Sequence, residues 1–483
     1  MTTLIHLSPI FLVMTLLILL RRPPVQAAVA GAVLVAVLWL AGAADTFHAT
    51  AAIAAILDTA VLFASTAFVI VPGLAFVILV ERLGVNQALS QWVQALSLGR
   101  GELVVFIVLG LAPLLEAMTG FGVSLIATVP LLLSLFEQRV ALRIALTGMA
   151  VMPWGTLGLA TVIGASLAHL DVSALAAMSA FTSAPVFVML TALALWRAGA
   201  RGSAAGGALA AYGLLFVGML YALSRWLGPE VAGVGAGLVV AVVALSVAAS
   251  RREDVQKAQW PRQAWPYLGL IVCIVLLKGL GTTTHWEDIW LVRGVDVIWK
   301  PLASPGVALV LVALWVWMRT HRSHRDGAAS ADGLTGLLIT RARRPLLTIF
   351  CFLLMAQMMV KAGFLDGLVQ LLSSLPTWAM AALAAVFGAL SGYMTGSNVG
   401  GNAIFMPAIA LLGESSRLLL AAVQNSAAGH AALGSLPIVM LVLSLAKTGP
   451  QEEGELVRFG FGLVCLNTAL VALAGCIAVL VFG

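Results

Sequence analysis

The chain has 483 residues, 61% of them hydrophobic and 10% charged, with a net charge of +6 and a mean hydropathy of +1.07. A soluble chain of this size cannot hide so much apolar surface in one core, so the bilayer must be its solvent. The positive residues cluster in loops, where they set membrane orientation, which argues against nucleic acid as a partner. The lack of alternating ten-residue strands argues against a β-barrel, and four scattered cysteines offer neither a disulfide framework nor metal-ligand spacing.

In chain order, the first apolar run, Leu4–Leu20, lacks a basic region before it and a small-residue cleavage site after it. It reads as a retained helix rather than a signal peptide. Further helices are expected at Ala27–Ala44 and Thr59–Leu79, then an amphipathic interfacial stretch at Asn86–Leu98. Leu103–Phe136 is an apolar run broken at its centre, and Arg139–Leu167 is broken near Met152–Gly158. Plain helices are expected at Ser173–Leu195, Leu209–Leu227, Val231–Ala249, Trp265–Leu280 and Pro305–Met318. A hydrophilic segment, Arg319–Arg344, reads as a mobile connector. The earlier pattern then returns: a helix at Pro345–Val360, an amphipathic stretch at Phe364–Leu375, broken runs at Trp378–Leu412 and Arg417–Leu445, and a last helix at Val457–Phe482.

With Arg21 and Arg22 on the cytoplasmic side, counting forward places Arg82, Arg100, Arg139, Arg197, Arg201, Arg251, Arg252, Lys257, Arg262 and the basic residues of 319–344 there too. The connections Asp45–Thr50 and Ala168–Asp171 fall outside and carry no Lys or Arg; the connection with Arg293 and Lys300 is the exception. The count requires both broken runs, Leu103–Phe136 and Trp378–Leu412, to be re-entrant hairpins. The expected fold is therefore an all-α polytopic membrane protein of about 12 crossings plus two hairpins, both termini outside. Its inverted repeats each hold a re-entrant hairpin and a discontinuous helix. The division is N-terminal helices 1–50, a first repeat 51–200, connecting helices and a basic cytoplasmic loop 201–344, and a second repeat 345–483. Inverted repeats of this kind are the mark of a secondary transporter with its site at the repeat interface.

Met118-Thr119-Gly120 recurs as Met394-Thr395-Gly396, an offset of 276 that also aligns Leu157-Gly158 with Leu433-Gly434 and Trp154 with His430. Non-helical backbone at membrane depth is tolerated only where protein or a wet cavity covers it. Gly120, Gly122 and Gly396 would let the backbone approach a ligand. Thr119, Thr395, Ser397, Asn398, Asn402 and Asn425 could donate hydrogen bonds to a carboxylate or hydroxyl. Glu116 is the only ionisable residue of Leu103–Phe136, and His430 the only one of Leu418–Leu445, so each is a candidate proton carrier. Glu116 has the alternative role of holding the hairpin backbone, and His430 that of a packing residue. Trp154, between Pro153 and Gly155, is expected to close the cavity. Asp58 is placed at a helix start or an interface. Neither tip holds a Lys or Arg, which favours a small monoanion. No cofactor or metal motif is present.

The run Leu115-Glu116-Ala-Met-Thr-Gly120-Phe121-Gly122, followed by Val129-Pro130-Leu-Leu, resembles the bacterial lactate permease family. Thr395-Gly396-Ser397 with Asn402-Ala403 and Phe405 is similar to that family's second signature. The resemblance implies uptake of lactate or glycolate by proton symport across a bacterial inner membrane. It departs at Gly429-His430-Ala-Ala-Leu-Gly434-Ser435-Leu-Pro437, where the family carries a lysine, which leaves the substrate and the coupling ion open. Alternatives are a sodium-coupled carrier of di- or tricarboxylates or another organic anion, a passive anion channel, and an intramembrane enzyme built on Ser397 and His430. Oligomeric state has no signature in the chain.

Overall fold

The computed structural model describes residues 2–43, 48–96, 98–120, 122–251, 259–323 and 331–482. Parts of the expectations above lie outside the described residues: Phe121, most of the connection after Ala43, Arg252, Lys257 and Arg325.

The structure is built from helices, here numbered in chain order. They are α1 (Thr2–Met14, prolonged by a π-turn to Leu19), α2 (Pro24–Leu40), α3 (Ala49–Arg82) and α4 (Val85–Ala95), then the first hairpin, α5 (Arg100–Thr119) and α6 (Val123–Leu135). Next come α7 (Gln138–Thr147), α8 (Gly155–Ala168), α9 (Val172–Arg197), α10 (Ser203–Trp226), α11 (Pro229–Ala249) and α12 (Trp265–Thr284). A two-stranded ribbon, β1 (Val292–Arg293) and β2 (Ile298–Trp299), precedes α13 (Gly306–Ser323). The second half holds α14 (Ala331–Lys361), α15 (Asp366–Ser373), the second hairpin α16 (Thr377–Thr395) and α17 (Asn398–Ala410), then α18 (Glu414–Ala432), α19 (Leu436–Ala446) and α20 (Pro450–Phe482).

Among the described residues, ten helices are long and apolar enough to cross a membrane, or eleven if the bent pair α7–α8 counts as one span. Two of the ten, α5 and α16, are first arms of the hairpins. Shorter apolar helices at Thr3–Leu19, Pro24–Leu40 and Gly306–Thr320 stand where the sequence expects crossings. The protein is thus an all-α polytopic membrane protein, and the order long helix, short amphipathic helix, hairpin, broken helix, long helix occurs twice.

The inversion is visible in α3 and α14, the opening helices of the two halves. In the first third of α3, Asp58 meets Lys361 at the end of α14, Oδ2 to Nζ 3.3 Å. Near the end of α3, Glu81 takes a bidentate pair of hydrogen bonds from Arg341, early in α14, at 3.1 and 2.9 Å. The two helices therefore run antiparallel. At 1.5 Å per residue the two clasps lie about 30–35 Å apart, the thickness of a hydrocarbon core.

Two expectations need correction. The connector expected at Arg319–Arg344 is largely helix: α13 runs to Ser323 and α14 starts at Ala331, with 324–330 outside the described residues. Arg341 secures that extension through Glu81. Asp58 lies well inside α3 rather than at its start, and it is fully buried. Its Oδ1 accepts from the backbone N–H groups of Val295 and Asp296 while Lys361 faces Oδ2 and also pairs with Asp296. The connection with Arg293 and Lys300 folds as the β-ribbon over Asp58, and Lys300 hydrogen-bonds Asp288 at 2.6 Å, holding that carboxyl below its usual range.

Candidate functional site

Both Met-Thr-Gly copies end a helix by the same bonds. Thr119 Oγ1 donates to Leu115 O at 2.6 Å, and Thr395 Oγ1 to Ser391 O at 2.8 Å. Gly120 N–H donates to Glu116 O at 2.8 Å, and Gly396 N–H to Gly392 O at 3.0 Å. Each glycine then leaves the helix at positive φ, Gly120 at +68° and Gly396 at +64°. Gly120, with ψ −172°, lies in a region open essentially to glycine alone. A Cβ there would also overlap the hydroxyl of Thr156. The Thr119 proton is thus committed to its own helix, and that of Thr395 to Ser391 O or, equally near at 2.8 Å, to Ser397 O across the turn, so both residues build the turns.

Beyond the glycines the tips diverge. In the first, Glu116 is fully buried and ties the turn to α6: Oε1 accepts from Gly122 N–H at 3.1 Å, and Oε2 from Ser124 Oγ at 2.7 Å. In the second, Ser397 caps α17, its Oγ facing Gly400 N–H at 3.5 Å. Behind it lies an amide hub. Asn425 Oδ1 accepts from Asn398 Nδ2 (3.1 Å) and Asn402 Nδ2 (2.9 Å), and Asn425 Nδ2 donates to Thr161 and Ser179, each at 3.0 Å. Asn402 Nδ2 also reaches Ala160 O at 3.0 Å. The hub therefore joins α17 and α18 to α8 and α9 of the other half.

A cavity of about 40 Å³ lies between the tips, lined by Glu116 and Gly120 from the first and Gly396, Ser397, Asn398 and Val399 from the second. Its remaining wall is the break before and within α8: Met152, Gly155, Thr156, Leu159 and Ala160. Here Thr156, Leu157 and Gly158 all take left-handed conformations, φ 52°, 54° and 73°, inside a span bent by 55°. Two consecutive non-glycine residues in that region cost about 1–2 kcal/mol each. Packing holds them there: a Cβ on Gly158 would meet Pro229 at 2.6 Å. A volume of about 40 Å³ accommodates a few waters.

The structure thus brings Glu116, Gly120, Gly396, Ser397 and Asn398 to one cavity, with Asn402 and Asn425 in the layer behind. Gly122 packs against Leu441 and Ile438, its N–H spent on Glu116. Trp154 and His430 lie elsewhere, although their paired positions are informative: both rings pack on Phe187. Trp154 is tilted against Phe187 at 6.2 Å, with Nε1 donating to Ser224 Oγ at 3.0 Å, and His430 meets Phe187 edge-on at 5.5 Å. His430 is five residues beyond Asn425 on α18, some 140° around the helix, so it faces away from the hub. Neither of its ring nitrogens has a hydrogen-bond partner among the described residues, so His430 makes no hydrogen bond to Ser397. Thr156, Thr161, Ser124 and Ser179 were not singled out from sequence. Only the Trp154-Gly-Thr-Leu-Gly158 break hinted at Thr156.

No protein-family model matches this chain, and no curated protein matches it. Among solved structures it is similar to the Alcanivorax borkumensis YdaH transporter, described as having an unusual topology. The likeness has 16% sequence identity and a TM-score of 0.48, over 88% of this chain and 87% of that one.

Proposed function

We propose that the protein is a secondary active transporter that takes up a small 2-hydroxy monocarboxylate, lactate or glycolate, together with a proton. The observation that carries this reading is the make-up of the cavity between the tips. Among the described residues, Glu116 is the only titratable side chain in its lining and no Lys or Arg accompanies it, and the capped start of α17 faces it across the gap. A helix N-terminus with Asn398 beside it suits one carboxylate, and a buried carboxyl is suited to take up and release the accompanying proton. Cavity size fits a closed state, with alternating access opening the tips against α8. The resemblance to lactate permeases points to the same substrate class, and the inner membrane of a bacterium is the expected location.

One observation favours a sodium-coupled variant of this reading. Asn398 Oδ1 and Asn402 Oδ1 are buried with no donor among the described residues, and such oxygens beside unwound backbone suit Na⁺.

The deciding experiment is uptake of labelled L-lactate into proteoliposomes under an inward proton gradient, with and without a protonophore, then under a sodium gradient at fixed pH. Accumulation that the protonophore removes supports proton symport. Accumulation that follows Na⁺ alone moves the coupling to the asparagine oxygens. Failure of folded protein to accumulate lactate, glycolate or any small organic anion under either gradient overturns the reading.

A further inference from the structure

A second cavity, about 590 Å³ in volume, lies away from the tips, against about 40 Å³ between them. Three arginines from separate connections line it: Arg100 at the start of α5, Arg201 before α10 and Arg251 after α11. All three are exposed, and the positive-inside count puts all three on the cytoplasmic side. Glu102 is the acid of the lining, and its Oε2 accepts from Gly99 N–H at 3.0 Å as part of the α5 cap. Among the described residues the balance of the lining is positive.

Apart from the Tyr212 side chain, the rest of the wall is apolar and mostly of small residues. It includes Ala204, Ala205, Ala208 and Ala211 of α10 and Ala244 and Val247 of α11. Cβ atoms built on Gly206 and Gly207 would meet nothing within 4 Å. Only 17% of the apolar window of α10 is buried, so this helix presents itself to lipid. Depth is marked by Trp196, 50% exposed at the end of α9, with the Arg197 guanidinium 4.6 Å and that of Arg201 5.9 Å from its ring. Tryptophan and arginine together are the signature of the headgroup level.

We infer that this cavity is a binding site for an anionic phospholipid of the cytoplasmic leaflet. The phosphate lies among Arg100, Arg201 and Arg251, where guanidinium groups supply paired donors to phosphate oxygens. One acyl chain runs along the alanine and glycine face of α10. A soluble phosphate would satisfy the arginines and leave that face uncovered, which is why the lipid is the occupant. This inference does not depend on the transport reading.

The test is native mass spectrometry of the delipidated full-length protein with equimolar phosphatidylglycerol and phosphatidylcholine, alongside thermal unfolding in the presence of each lipid and of inorganic phosphate. One phosphatidylglycerol is expected to be retained at least about tenfold over phosphatidylcholine, given the attraction of each basic residue to anionic lipid. Phosphatidylglycerol alone should raise the melting temperature. Arg201→Gln with Arg251→Gln, both in exposed connections, should bring the preference close to one while elution remains monodisperse; Arg100→Gln provides a second variant should that pair misfold. Equal retention of the two lipids overturns the inference, as does a preference that survives in every folded variant. Stabilisation by inorganic phosphate matching that by phosphatidylglycerol makes the site one for a free anion and overturns it too. So does a dimer from which phosphatidylglycerol is excluded.

Discussion

The two hairpin tips begin with the same three residues and the same two hydrogen bonds, then solve different problems. The first carries Glu116, a charge-capable side chain locked to its own turn by Gly122 and Ser124. At the equivalent position, by the offset of 276, the second carries Gly392, where a Cβ would overlap Ala428 O. It replaces the carboxyl with the amides of Asn398 and Asn402, which bond Asn425 of α18, and Asn402 also reaches Ala160 O of the other half. Shared backbone chemistry makes the turns, and divergent side chains give one tip a titratable group and the other a neutral, cross-linked cradle. The broken helices diverge in the same way. In α8 the break is three left-handed residues, whereas Leu433 stays helical and Ser435 simply starts α19.

The strongest way to break this comparison is at the paired glycines. Gly120→Ala meets both a glycine-only conformation and the Thr156 hydroxyl, so it should abolish the folded, monodisperse protein. Gly396→Ala, in an ordinary left-handed cap with Pro437 at 3.0 Å, should cost about 1–2 kcal/mol and leave the protein folded. Size-exclusion profiles and melting temperatures compare the two, and equal effects would mean the tips are interchangeable. Next is Glu116→Gln, which keeps an acceptor for Gly122 N–H. It should abolish proton-driven accumulation while leaving melting within a few degrees; a mutant that still concentrates substrate would make Glu116 purely structural.

Asn425→Ala removes the hub and strands several buried groups, each worth about 1–3 kcal/mol. It should destabilise more than Asn398→Ala, a ranking that thermal unfolding of the pair checks. The smallest effect is expected at His430→Phe, in the aromatic cluster around Phe187. Uptake should stay within about twofold of wild type, since the buried ring serves packing against Phe187 and an apolar ring can fill that role, and its pH profile should be unchanged. A shifted profile would return His430 to the proton path.

Sequence determined most of the architecture. Apolar run lengths fix how many segments can cross, basic loops bias their orientation, and the twin Met-Thr-Gly stretches mark where helices must stop. These are local or additive properties, readable one segment at a time. Glu116 could be singled out for the same reason, as a lone acid in an apolar run. What sequence did not reveal was direction and partnership. Trp154 and His430 occupy matched positions, yet helical phase turns both onto Phe187 and away from the cavity. Thr119 and Thr395 have free-looking hydroxyls that backbone carbonyls of their own turns consume. Asp58 and Lys361 are far apart in the chain, and only the antiparallel packing of α3 on α14 makes them an ion pair under the ribbon. A side chain's role depends on which way its helix is turned and on what a distant segment leaves unsatisfied, and those are decided when the halves pack together.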